Sequence, residues 1–263
     1  MSSLRLAVAG KGGAGKTTLS STLARTLARR GRQVVVVDAD SNPNVAVALG
    51  CDRVRAAAIP PLPTGLVSRR LDGGPSLTDT VPAVVERYGA VGPDSVSVVH
   101  MAMPAHADEG CLCSAHATVS GMLADAAALP DTVTIVDLEA SPEHLSRGTT
   151  RHVDVLFMVV EPYWRSLETA RRMSKLAAEL PVPHVGVVGN KARSTADAEA
   201  IAGFCAGSGL VLDGQLPWSD GALDADKAGI PLIDYDPEDP VVQAVSRLAD
   251  RLVDGLQPSG APA

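Results

Sequence analysis

The sequence predicts a single-domain α/β fold, a mainly parallel sheet flanked by helices on both faces. Three observations carry that expectation. Short apolar runs rich in β-branched residues alternate with helical patterns along the chain. The first run enters a glycine-rich loop and then an amphipathic stretch, the order strand, loop, helix. A length of 263 residues with 46% hydrophobic content suffices to bury a core on both faces of a sheet.

The elements follow in order. Leu4–Ala9 (LRLAVA) is a continuous apolar run, as a strand buried on both faces requires. After the loop, Leu19, Leu23 and Leu27 recur every four residues while Arg25, Arg29 and Arg30 take other faces, so a helix follows. Gly31 ends it, and Gln33–Val37 is the next strand. Further strands are expected at Val96–His100, Thr132–Val136, Val153–Val160, Val185–Gly189 and Leu210–Leu216. Helices are expected at Asp79–Tyr88, Ser114–Ala128, Leu167–Leu180, Thr195–Cys205 and Val241–Leu256. Residues 56–75, rich in Pro, Gly and Arg, read as a surface insertion within one domain spanning 1–256, and 257–263 as a frayed tail.

Bulk properties narrow the function classes. A formal charge of −7 and few aromatics argue against electrostatic binding of nucleic acid. No uncharged apolar stretch approaches the roughly 18 residues of a membrane span, and no signal peptide precedes the first strand, so a cytoplasmic protein without a membrane partner is expected. Cys51, Cys111, Cys113 and Cys205 then belong to a reducing compartment, where paired cysteines are more often metal or redox sites than structural disulfides.

The loop reads Gly10-Lys11-Gly12-Gly13-Ala14-Gly15-Lys16-Thr17-Thr18 and satisfies G-x-x-x-x-G-K-[ST]. Backbone N–H groups of such a loop converge on phosphate at a helix N-terminus, the lysine neutralises the β- and γ-phosphates, and the hydroxyl takes a place on Mg²⁺. Gly10, Gly12 and Gly15 also satisfy the dinucleotide pattern G-x-G-x-x-G, with Asp38 near the expected ribose-binding acid. That pattern has no use for Lys16-Thr17-Thr18, whereas triphosphate chemistry needs both the cation and the hydroxyl. A P-loop NTPase is therefore expected.

Two acidic strand ends complete the pattern. Thr134-Ile135-Val136-Asp137 is an apolar strand ending in a carboxylate, suited to the Mg²⁺ side of the site. Asp38-Ala39-Asp40 ends the second strand with two more; one can hold the water shell of the metal and the other orient an attacking water. Gly110-Cys111-Leu112-Cys113 precedes a helix, whose positive end favours thiolate. Two sulfurs are too few for a closed site, but a two-fold dimer doubles them to the set a tetrahedral zinc or square-planar nickel needs. Cys51 and Cys205 read as simple fillers, and His106 and His116, which flank the pair, are given no role.

With Lys11 directly after the first glycine, KGGAGKTT resembles the deviant phosphate loop of the MinD/ParA/nitrogenase-iron-protein ATPases. The resemblance implies that Lys11 reaches the nucleotide of a second subunit in an ATP-clamped homodimer. It further implies Lys16 for the phosphates of its own site, Thr17 for Mg²⁺, Asp40 for the water, and Asp38 and Asp137 as support for the metal. Val187-Val188-Gly189-Asn190-Lys191 resembles the family's strand-ending asparagine that reads adenine, and Leu216-Pro217-Trp218 with the residues to Leu232 resembles its base-covering loop. ATP or ADP is the implied nucleotide. GCLC at Gly110–Cys113 and VDLEASPEHLSRGT at Val136–Thr149 are similar to the CooC-type branch, accessory ATPases that mature nickel carbon monoxide dehydrogenase. That resemblance implies Zn²⁺ or Ni²⁺ on Cys111 and Cys113 at the dimer axis and a metalloenzyme client such as carbon monoxide dehydrogenase. Residues 56–75 have no counterpart in it. Two alternatives come with the wider family: an electron donor with a dimer-bridging iron–sulfur cluster, which its two ligands on separate loops disfavour here, and a positioning ATPase acting on membrane or DNA.

Overall fold

The computed structural model describes residues 3–69, 74–102, 113–140 and 143–255. In chain order the elements are β1 (Leu4–Gly10), α1 (Lys16–Arg29), β2 (Gln33–Ala39), α2 (Val45–Leu49), α3 (Arg53–Ala57), β3 (Val67–Arg69), β4 (Pro75–Leu77), α4 (Val81–Tyr88), β5 (Ala90–Val91), β6 (Ser97–His100) and α5 (Cys113–Ala126). There follow β7 (Thr132–Leu138), α6 (Glu143–Ser146), β8 (Val155–Val160), α7 (Trp164–Ala177), β9 (His184–Ala192), α8 (Thr195–Ser208), β10 (Val211–Pro217), α9 (Asp220–Ala228), α10 (Leu232–Tyr235) and α11 (Pro240–Asp254). Eight strands form one sheet in the order β10-β9-β8-β1-β7-β2-β6-β5, parallel throughout except for the short edge pair β5–β6.

β1 lies at the centre because it is buried on both sides. Leu6 and Val8 point into one core layer with Leu19, Leu23 and Leu27 of α1 and Val245 and Leu248 of α11. Ala7 and Ala9 point into the other, with Met122 of α5, Leu167 of α7 and Ile201 of α8. The two-residue side-chain period of a strand thus feeds two helical layers from one apolar run. None of the helices among the described residues is long and apolar enough to cross a membrane.

Every long predicted element is present, and the differences lie at ends and in short pieces. α4 starts at Val81 instead of Asp79 because Thr80 is its cap, accepting from the Ala83 N–H at 3.4 Å. α11 starts at Pro240 behind Asp239, which accepts from Val241 N–H at 2.8 Å. The helices α2, α3, α9 and α10 and the ribbon β3–β4 are too short for periodicity to announce them. The segment 56–75 is not wholly superficial: Ile59, Leu62 and Leu66 are buried, and Leu62 N–H donates to the His100 carbonyl at 2.8 Å. β4 lies on α5, where Asp125 accepts from Leu77 N–H at 2.8 Å. The tail at 257–263 lies outside the described residues.

Gly10 is where β1 must turn into the loop. Its φ is +146°, and a Cβ there would stand 2.5 Å from the Val159 carbonyl oxygen of β8. Gly10→Ala should therefore lower stability by roughly 1–3 kcal/mol, read from the urea unfolding midpoint, with the sheet retained.

Candidate functional site

The carboxyl ends of the central strands converge where β1 separates β7 from β8, the switch point at which open α/β sheets bind ligands. Register brings the key groups level. Val8 of β1 pairs with Asp137 of β7, and Asp137 pairs with Asp38 of β2. The loop leaves β1 immediately after this level.

α1 begins at Lys16 behind Gly15, whose φ of +98° is the left-handed conformation, and no side chain caps its first turn. Its first N–H groups are consequently open to an anion. A Cβ on Gly15 would run into the Asn190 amide. Ala14 is buried, Gly12 and Gly13 are exposed, and Lys16 is 7% exposed with its ammonium folded back to 3.4 Å from the Lys11 carbonyl. Thr18 is exposed at the mouth of a cleft of about 290 Å³ that runs along α9 past Ala222, Ala225 and Ile230.

Behind the loop stand the acids. Thr17 Oγ1 donates to Asp137 Oδ2 at 2.7 Å and Ser20 Oγ to Asp137 Oδ1 at 2.9 Å. Asp38 accepts from the N–H groups of Asn44 and Val45 at 2.8 Å each and of Asp40 at 3.2 Å. Burial pushes Asp38 up to about 7, with the Asp137 charge adding to the shift against its hydrogen bonds. Burial likewise pushes Asp137 up to about 6, against its bonds to Thr17 and Ser20 and the Lys16 charge. Two buried carboxylates side by side, with one nearby lysine, form a site short of positive charge. Thr17 gives its hydrogen to Asp137 and so presents its lone pairs outward. Hard oxygen donors around uncompensated negative charge fit Mg²⁺. Asp40 is half-buried beyond them, and its Oδ1 accepts from Asn42 N–H at 2.8 Å.

A second set of contacts holds the loop from β8 and β9. Asn190 is buried, its amide donates to the Ala14 carbonyl at 2.7 Å, and its oxygen accepts from Lys191 N–H at 2.8 Å. One amide hydrogen and one lone pair remain for a base edge. Lys191 donates to the Gly13 carbonyl and pairs with Glu161 at 3.1 Å; Glu161 in turn accepts from the Tyr163 hydroxyl. The Lys11 ammonium lies 5.4 Å from the centre of the Tyr163 ring, within cation–π reach. Trp218 is half-buried, with the Arg193 guanidinium 3.6 Å above its ring and its indole N–H donating to Asp220 at 2.9 Å. Pro217 is half-buried beside it, and Trp218 N–H bonds the Ala192 carbonyl at 2.8 Å, joining the ends of β10 and β9. The stretch after Trp218, expected as a loop, contains α9, capped by Ser219.

The sulfur region lies elsewhere on the carboxyl side. Cys113 is the first residue of α5 and is exposed; Cys111 lies outside the described residues. Arg147 Nη1 stands 2.6 Å from Cys113 Sγ. Cys113 is bonded in a disulfide, a form that holds no divalent metal until reduced. Among the described residues no three of His, Cys, Asp and Glu gather into a metal site. Cys51 and Cys205 are buried and free, and burial raises both thiols, Cys205 to about 11, as inert fillers require.

Residues 6–232 match the family model described as the CobQ/CobB/MinD/ParA nucleotide binding domain. The chain is 33% identical over 250 residues to the carbon monoxide dehydrogenase accessory protein CooC of Rhodospirillum rubrum, covering 89% of this chain and 91% of that protein. An uncharacterized ATP-binding protein of Methanocaldococcus jannaschii is 32% identical over 238 residues, 87% of this chain and 91% of its own length. Among solved structures, the septum site-determining protein MinD of Pyrococcus horikoshii, complexed with Mg-ADP, superposes with a TM-score of 0.69 at 18% identity, covering 97% of this chain and 98% of that one. The fold and the phosphate loop thus define a nucleotide-hydrolysing α/β protein. The chain belongs to the CobQ/CobB/MinD/ParA nucleotide-binding family, and it is an ATPase.

Sequence reading passed over several residues around this site. Ser20 lies one helical turn from Thr17, a spacing that could have found it. Glu161, at the carboxyl end of β8, could have been found as a further strand-end acid. Asn44, Tyr163 and Arg193 carry no local signal.

The raised acids make a pH prediction for the protein in chelator, free of nucleotide. A carboxyl raised on folding leaves its contribution intact below the unfolded value and withdraws it as pH rises through the folded one. Asp38→Asn should accordingly be more stable than the parent above about pH 7, the gap closing toward about pH 4, in paired thermal melts.

Proposed function

We propose that this ATPase is a maturation factor that couples ATP binding and hydrolysis to the delivery of a divalent metal, nickel by resemblance, into a metalloenzyme client of the carbon monoxide dehydrogenase kind. The observation that carries this reading is the exposed Cys113 at the start of α5, in a chain that aligns along most of its length with an accessory protein of that enzyme.

In this reading ATP lies with its phosphates on the N–H groups of Gly12, Gly13, Gly15, Lys16 and Thr17. Gly10 lets the strand turn beneath it, and Ala14 anchors the loop through Asn190. Lys16 unfolds from the Lys11 carbonyl onto the β- and γ-phosphates. Thr17 holds Mg²⁺ directly, Asp38 and Asp137 hold its water shell, and the ion supplies charge neutralisation at the transferring phosphoryl group. Thr18 borders the α-phosphate, and the cleft along α9 takes the nucleoside. Asn190 offers adenine its free amide hydrogen and lone pair, Lys191 keeps the loop in place, and Pro217 and Trp218 cover the base. Asp40, half-buried and beyond the paired acids, orients the attacking water. Lys11 leaves the Tyr163 ring for the partner's phosphates when two subunits meet; ATP then favours the closed homodimer by its extra contacts there.

The cargo is a Zn²⁺ or Ni²⁺ ion, held by the Cys111 and Cys113 sulfurs of both subunits after reduction by a cellular dithiol. Closure brings the two pairs together and hydrolysis separates them, so nucleotide state sets metal retention.

Three outcomes follow. In reduced protein, Cys111→Ser or Cys113→Ser should abolish uptake of Zn²⁺ by elemental analysis while leaving ATP affinity unchanged; unchanged metal content refutes the cargo role. Lys11→Ala should remain monomeric by light scattering under ATP conditions that dimerise the parent. Trp218→Ala should weaken ATP binding by about 1 kcal/mol, read by calorimetry.

A further inference from the structure

Two buried histidines take no part in the chemistry described so far. His116 lies on α5, one turn after Cys113, and His144 on α6, the short helix that follows β7. Their rings stack face to face, centroids 4.2 Å apart and planes 8° from parallel. His116 is 3% and His144 1% exposed.

His144 Nε2 stands 3.1 Å from the Ala39 carbonyl oxygen, a contact that is itself buried. A carbonyl only accepts, so Nε2 carries the hydrogen and the neutral ring presents a bare Nδ1. That nitrogen is buried and has no hydrogen-bond partner. Burial, followed by the neighbouring His116, lowers His144 to about 4, which keeps the ring in this neutral form. A residue serving only to fill space would be apolar, since an unpartnered buried nitrogen costs stability. The bond that compensates goes to the peptide between Asp38 and Asp40.

That corner carries both acids at the end of β2. Asp38 is fixed by the N–H groups of Asn44, Val45 and Asp40. Among the described residues the Asp40 carboxylate accepts a hydrogen bond only within its own turn, from Asn42 N–H. The angle at which its carboxylate leaves the strand is therefore set by the Ala39 peptide, and His144 grips that peptide. On the other side, His116 packs its ring on His144 and bonds Thr149 through Nδ1 at 3.4 Å. A cavity of about 540 Å³ opens on its outer side, lined by Cys113, His116, Arg147 and Arg151. The first turn of α5, the His116 ring, the His144 ring and the Ala39 carbonyl form one contiguous path.

We infer that the stacked His116–His144 pair is a positioning element that holds the Asp38–Asp40 corner for ATP hydrolysis and ties it to the cysteine-bearing start of α5. The inference rests on the assignment of Asp40 to the attacking water and, for its second half, on metal binding at the cysteines. Neither imidazole lines the cleft assigned to the nucleoside, so loss of the grip alters turnover more than ATP affinity.

The test uses the full-length, reduced protein and steady-state ATPase kinetics. His144→Phe keeps a stacking ring and loses the donor; its kcat should fall about tenfold with KM for ATP within about twofold. His144→Gln restores an N–H near the Nε2 position and should recover most of that loss. Should the Phe variant fail to fold, His144→Leu replaces it in the comparison with Gln. Parental turnover in the Phe or Leu variant, or a Gln variant no better than they are, overturns the positioning role. Asp40→Asn run alongside separates the premises: full activity in that variant defeats the assignment of Asp40 itself, whatever His144 does. For the link to α5, zinc chloride is added and bound zinc counted. His116→Ala should bind zinc as the parent does yet lose the zinc-induced change in kcat. If it keeps the whole change, or the zinc-loaded parent shows none, the link is overturned; a parent that binds no zinc overturns the cargo reading instead.

Discussion

Asp38 and Asp137 stand directly across from one another on adjacent parallel strands, both buried, and burial raises both carboxyls above the usual carboxylate range. The rest of the site answers to that pairing. Backbone N–H groups are turned onto Asp38, hydroxyls of α1 onto Asp137, and Lys16 lies near enough to lower it. Two buried like charges oppose folding, so a cation bound between them stabilises the folded chain. The unbound protein is thus strained electrostatically toward a cation and the phosphates that come with it.

The phosphate loop is held from both ends by the same economy. β1 must turn sharply while β8 passes within contact of its last residue, which leaves room for hydrogen alone at Gly10. β9 contributes Asn190 and Lys191, whose side chains take two carbonyls of the loop, while among the described residues only Ala14 of its N–H groups is engaged, by the Lys11 carbonyl at 3.1 Å. An anion-binding loop needs this asymmetry: carbonyls satisfied by the protein, donors kept for the ligand. Lys11 resting by Tyr163 belongs to the same arrangement, a cation parked on an aromatic face at the surface.

Several parts of this were legible in the chain alone. The motif around Lys16 and Thr17 and the acids ending β2 and β7 were readable because each is a local pattern whose chemistry demands its residue types. Asn190 was readable only by resemblance. Its observed partner, the Ala14 carbonyl, lies 176 positions away. Cys113 was readable as a helix-start cysteine, but its neighbour Arg147 and the histidine stack were not, since they come from separate elements brought together by β7.

The sequence by itself determined the alternation of strands and helices, the two-sided burial of β1 and the phosphate loop, because hydrophobic period and glycine spacing act over a few residues. Only the tertiary structure decided which acids face each other, which lysine grips the loop, and that His144 reaches the peptide between Asp38 and Asp40. Those contacts depend on strand order and register, which join positions about a hundred residues apart and leave no trace in local spacing.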